Sequence, residues 1–242
     1  NSVLPFRLGE ILRAYAISRS NRITTSGAFG TIILERLLDI IGLAGVMIVC
    51  AFFSPLMEWS GNVLIILVIL ILSGLAFIIW LEKSHSRLHE KMIHWKLFES
   101  KSGQKIFSIL NNLFKGLTSI KETKHAGQLV IHTVLIWFMY YVCIYLVVLG
   151  TGINLSFTGI GIVLIATTLV ITVPSAPGFV GTYHAAAVYV LVNLFHIGLT
   201  ESQAFAVLIH AIGFIPMVCI GFLYFVKSSI HFGDLKTEEI TQ

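Results

Sequence analysis

The 242-residue chain is 56% hydrophobic and 12% charged, with a mean hydropathy of +0.90 and a formal net charge of +4. Soluble domains carry about 25% charged residues, so the composition excludes an ordinary soluble globular protein. It predicts instead an all-α, polytopic helical membrane protein that forms a single membrane domain over residues 1–242.

The chain begins at Asn1, and the segment 1–24 lacks the charged start, apolar core and small-residue cleavage site of a signal peptide. We expect it to be an interfacial or re-entrant segment of a longer protein whose N-terminal spans are missing. Its run LPFRLGEILR combines the breakers Pro5 and Gly9 with Arg7, Glu10 and Arg13 at three-residue spacing. That spacing sets the three charges on one face of a helix.

Two spans are predicted over 28–81, at 28–53 and 61–81. The first carries Glu35, Arg36 and Asp39 in the run ILERLLDI. Each such charge costs about 2.5–3.5 kcal/mol at the centre of a spanning helix, and intramembrane charges face a bundle interior or a wet cavity. Glu35 and Asp39 share a helix face, and Arg36 is spaced to pair with Asp39. The cluster is expected two or three turns in from the basic N-terminal side, and it can meet Arg7, Glu10 and Arg13 if segment 1–24 folds beside it.

The loop 82–125 holds nine Lys and Arg residues, with Ile106, Ile109, Leu110, Leu113, Phe114 and Leu117 at helical spacing. It is predicted to form one or two amphipathic helices on the inner membrane surface. Residues 128–226 follow as four spans (128–149, 156–173, 179–197, 202–226), or as two spans plus a re-entrant pair at 156–197. The tail 227–242 ends the chain.

With about six spans in all, the basic segments 1–24, 82–125 and 227–242 fall on one side. The linkers 54–60, 150–155 and 198–201, which hold no Lys or Arg, fall on the other. The positive-inside rule then makes both termini cytoplasmic. It also accounts for the basic residues without a nucleic-acid partner.

A second break, VPSAPGFVGTYH, contains Pro174, Pro177, Gly178 and Gly181, followed by Tyr183 and His184. Broken helices at membrane depth survive only where protein or a cavity satisfies their backbone, and in many transporters they build the substrate site. Each break precedes a short helix-like stretch and then a long span, which predicts an internal, inverted repeat.

Cys50, Cys143 and Cys219 lie in separate apolar runs, as small hydrophobes do. His89-Glu90 with His94 misses the zinc-protease spacing by one residue. His132, His196 and His210 read as packing residues. No metal and no cofactor is expected, and no phosphate-binding glycine loop or nucleophile elbow is present.

The stretches Pro5–Arg7–Gly9–Glu10–Arg13, Glu35-Arg36-Leu37-Leu38-Asp39 and Pro177–Gly178–Gly181 resemble, in order, the flippase-like membrane domain of bacterial lysylphosphatidylglycerol synthases and its uncharacterised relatives that lack a synthetase domain. Members often read Pro-Gly-Gly-x-Gly-x-x-Glu at the third motif; Phe179 replaces the second Gly here, and His184 stands in place of the Glu. The resemblance implies lipid translocation in a bacterial inner membrane rather than enzymatic aminoacylation. The expected ligand is a membrane lipid, an anionic phospholipid or polyprenyl phosphate. Its headgroup would meet Arg7, Glu10, Arg13, Glu35, Arg36, Asp39, Pro177, Gly178, Gly181, Tyr183 and His184. The alternative is a non-transporting subunit that anchors a lipid-modifying or glycosyl-transferring membrane enzyme.

Overall fold

The computed structural model describes residues 8–21, 23–53, 100–117, 126–172 and 175–227, with a few single positions between 69 and 80. The predicted span 61–81, most of the loop 82–125, the residues after 227, and Pro5 and Arg7 lie outside the described residues. All regular structure among the described residues is helical: α1 (Leu8–Asn21), α2 (Thr25–Phe53), α3 (Lys101–Leu117), α4 (Ala126–Thr151), α5 (Phe157–Thr172), α6 (Thr182–Asn193) and α7 (Leu199–Lys227). The protein is a polytopic helical membrane protein.

Among the described residues three helices are long and apolar enough to cross a bilayer, at Thr25–Phe53, Gly127–Thr151 and Leu199–Tyr224. They turn large apolar side chains outward, including Phe52, Val134, Phe138, Leu146 and Phe222. Lipid takes the place of a protein core around a helix that is apolar all round. The helices α5 and α6 have 16 and 12 residues, or about 24 and 18 Å, against a hydrocarbon core of about 30 Å.

Hydroxyl caps start three of the helices. Gly27 N–H donates to Thr24 Oγ1, Gly103 N–H to Ser100 Oγ and Gly159 N–H to Ser156 Oγ, all at 3.0–3.1 Å. Each satisfies an amide that the first turn leaves unpaired.

The main core joins α2, α4, α5, α6 and α7 through Leu43, Trp137, Val163, Leu191, Phe205 and Ile209. Within it α2 and α5 run antiparallel: Phe53 meets Phe157 edge-on at 5.8 Å, and Cys50 Sγ lies against the α-carbon of Gly161. Continued along both helices, that register brings Thr172 level with Asp39.

A second, smaller cluster of Ala14, Ala28 and Ile32 seals α1 against the start of α2. Ser18 Oγ and Thr25 Oγ1, 3.2 Å apart, close this hairpin at its turn.

The predicted amphipathic stripe forms α3, but only its C-terminal half is packed. A Cβ on Gly30 would collide with the backbone of Leu113 and Gly116, and one on Gly116 with the Gly27 carbonyl. Three glycines therefore let the α2 and α3 backbones touch, the small-residue contact typical of membrane helices. Ile106 and Ile109, from the other half of the stripe, remain exposed.

Candidate functional site

Because α1 doubles back along α2, its first turn reaches the middle of that helix. Asp39 is the fifteenth of the 29 residues of α2, so the charges lie three to four turns from its start, somewhat deeper than their spacing from the basic segment suggests.

Five predicted residues meet there. Arg13 holds both oxygens of Glu35, with Nη1–Oε1 at 3.0 Å and Nη2–Oε2 at 2.7 Å. Arg36 Nη1 donates to Asp39 Oδ2 at 3.0 Å, while its Nη2 lies 3.3 Å from Glu10 Oε1 and 3.9 Å from Glu35 Oε1. Three carboxylates thus share two guanidiniums among the described residues. The fork geometry of Arg13 on Glu35 is the strong, directional form of the pair.

The cluster is not sealed. The side chains of Arg13, Glu35, Arg36 and Asp39 are 39–48% exposed, whereas that of Glu10 is 15% exposed. Arg36 Nε–H is buried and has no hydrogen-bond partner among the described residues. An unpaired guanidinium N–H beside an open face is a donor waiting for an oxygen, since a buried donor left unmatched costs about 1–3 kcal/mol. Tyr140 on α4 lies within electrostatic reach of Asp39, Arg36 and Glu35. It stands edge-on to Trp137, 6.0 Å away, whose indole covers Gly42 of α2.

The second break forms a 3₁₀ turn over Pro177–Phe179 that leads into α6. Gly178 adopts φ +68° and Gly181 φ +91°, conformations open chiefly to glycine. Phe179 also has φ +55° without being glycine. His184 stands at the third position of α6 and accepts the Gly181 N–H on Nδ1 at 3.2 Å. A glutamate at the third helical position makes the same bond in a capping box, so His184 caps the start of α6. The bond leaves the neutral ring as the Nε2–H tautomer.

His210 of α7 ties the turn to the bundle. Its Nε2 lies 2.8 Å from the Gly178 carbonyl, and its ring stacks between Tyr183 and Phe214 at 5.0 and 5.3 Å, edge-on to His184 at 4.7 Å. Thr182 and Ser175 close the turn at 3.1 Å.

The predicted site residues therefore gather in two groups. Glu10, Arg13, Glu35, Arg36 and Asp39 form the ion cluster; Pro177, Gly178, Gly181, Tyr183 and His184 form the turn. The extended α2–α5 register brings the end of α5, five residues before the turn, level with Asp39. Sequence reasoning missed Tyr140, hidden in the aromatic run WFMYY, and read His210 as a packing residue. No pattern within α7 singled out His210, a lone histidine in an apolar run.

The two halves also correspond. Arg36 is the twelfth residue of the 29-residue α2, and His210 the twelfth of the 29-residue α7. Each reaches the start of the short helical segment that precedes its own helix: Arg36 meets Glu10, and His210 meets Gly178.

Residues 1–221 match the family model described as the lysylphosphatidylglycerol synthase TM region. The chain belongs to that family. It is also similar to the UPF0104 membrane protein MJ1078 of Methanocaldococcus jannaschii, at 24% identity over 235 residues, covering 93% of this chain and 92% of the relative. No solved structure matches the chain. The match takes in every residue of both groups, and the family description names a membrane region and no catalytic activity.

Proposed function

We propose that this member of the family binds the phosphate of a membrane lipid, an anionic phospholipid or polyprenyl phosphate, at the ion cluster and carries it across the bilayer. One observation carries the reading: a guanidinium at mid-helix, partly exposed, with a buried Nε–H that has no acceptor among the described residues. The Nε edge of Arg36 offers the planar N–H pair that grips two phosphate oxygens. Arg13 and Glu35 brace the site by locking each other, and Glu10 holds the far side of Arg36. The two short helices that flank the turn at 177–181 suit a re-entrant pair. Transfer by this route makes no bond to the lipid, so the chain is read as a carrier, not an enzyme.

Reconstitution into liposomes with a fluorescent phosphatidylglycerol tests the reading. Wild-type protein is expected to move the probe between leaflets, and Arg36→Ala to slow the movement at least tenfold while running as a folded monodisperse species in detergent. Equal rates for the two proteins would exclude Arg36 as the phosphate ligand.

A further inference from the structure

A phosphate on the Nε edge of Arg36 has to share the guanidinium with carboxylates already on it. Its Nη1 is taken by Asp39 at 3.0 Å, and its Nη2 by Glu10 at 3.3 Å with Glu35 at 3.9 Å. An arriving phosphodiester adds a negative charge beside the three carboxylates gathered there. Like charges crowded at membrane depth are relieved by protonating one of them, as in carboxylate pairs that share a site.

The geometry selects which one. Glu35 is clamped through both oxygens by Arg13. Glu10 is the least exposed of the three, packed between α1 and α2. Asp39 is the most exposed, at 46%, and its ion pair is with Arg36, the guanidinium the phosphate needs. The other groups around it are consistent. From α1 come Glu10 and Arg13; from α4 comes Tyr140; α5 contains no ionisable side chain. The lysines of α3 belong to a helix docked at Gly27 and Gly30, two to three turns away along α2.

We infer that Asp39 is the proton-binding site of a coupled carrier, in which a phosphate takes Arg36 and Asp39 takes a proton in the same step. No covalent change is involved: the proton comes from the aqueous phase, Asp39 becomes a neutral carboxyl, and the proton leaves when the lipid departs and the Arg36–Asp39 pair reforms. Rests of this kind would let a proton gradient drive lipid movement. The inference rests on the phosphate-binding reading above and names its coupling ion.

The test is calorimetric binding of dihexanoyl phosphatidylglycerol, kept monomeric, to the detergent-solubilised full chain in two buffers of different ionisation enthalpy. Wild-type protein is expected to take up close to one proton per lipid bound. Its affinity should rise as pH falls, by up to about tenfold per pH unit above the Asp39 ionisation. Asp39→Asn, which mimics the protonated acid, is expected to bind with no proton uptake and with an affinity independent of pH. Thermal melting of the variant within a few degrees of wild type shows that Glu10 and Glu35 still hold Arg36. Wild-type binding without proton uptake, or uptake that persists in Asp39→Asn, overturns the coupling and leaves the phosphate site standing. No binding to wild type overturns both.

Discussion

Gly178 shows how much a single residue carries in this fold. Its φ of +68° lies in the left-handed region, and a Cβ there would come 3.0 Å from the Phe214 ring. Its carbonyl is the acceptor for His210, so the turn conformation and the tie to α7 stand or fall together. Gly178→Ala is expected to cost about 1–2 kcal/mol from the left-handed conformation alone, seen as a lower melting temperature in detergent. An unchanged melting temperature would mean that the turn does not depend on this geometry. Phe179, next to it, already bears the penalty of a positive φ without being glycine. The charges of the ion cluster were legible in the sequence because each is conspicuous in apolar surroundings, and helical spacing alone grouped Glu10 with Arg13 and Glu35 with Asp39. Tyr140 and His210 were not legible. An aromatic or a lone histidine in an apolar run acquires a role only through the helix that packs opposite, and no pattern within one helix names its neighbour.

At the scale of elements, hydropathy located α2, α4 and α7 well, since a run of about 20 apolar residues has few alternatives to a spanning helix. It was less informative on α5 and α6, whose apolar runs end in backbone breaks rather than in polar residues. It also missed the docking of α3. Period alone marks an apolar face, and cannot say that half of the face will be set by three glycines instead. The α2–α3 contact makes a sharp prediction. At Gly30, any side chain must push against the backbone of Leu113 and Gly116, which cannot yield as a flexible side chain would. Gly30→Val is expected to destabilise the protein by about 1–3 kcal/mol, the usual cost of overpacking, and to release α3. Limited proteolysis reads the release directly as faster cleavage within 101–117. Gly45, which has no neighbour in this sense, is the control position: Gly45→Val should leave the cleavage rate unchanged.

The molecule as a whole holds two helical hairpins of like build. In each, a short helical segment and a 29-residue helix meet through the twelfth residue of the longer one, and α5 packs antiparallel along α2. A carrier must change how such halves sit against one another during its cycle, so the α2–α5 interface is the place to hold it still. Cys50 makes this testable. An ideal Cβ on Gly161 lies 3.9 Å from the Cys50 Cβ, inside the 3.5–4.5 Å range that a disulfide needs. Gly161→Cys is therefore expected to pair with Cys50 under mild oxidation, read by mass spectrometry as the loss of two titratable thiols. The crosslink would form only if α5 runs antiparallel to α2 in the register seen here. If translocation requires the α5–α6 hairpin to shift along α2, the oxidised variant should stop moving lipid and recover on reduction, while binding of dihexanoyl phosphatidylglycerol persists in both states. Full translocation by the crosslinked protein would instead assign the movement to α4 and α7, and leave α2 and α5 as a fixed frame.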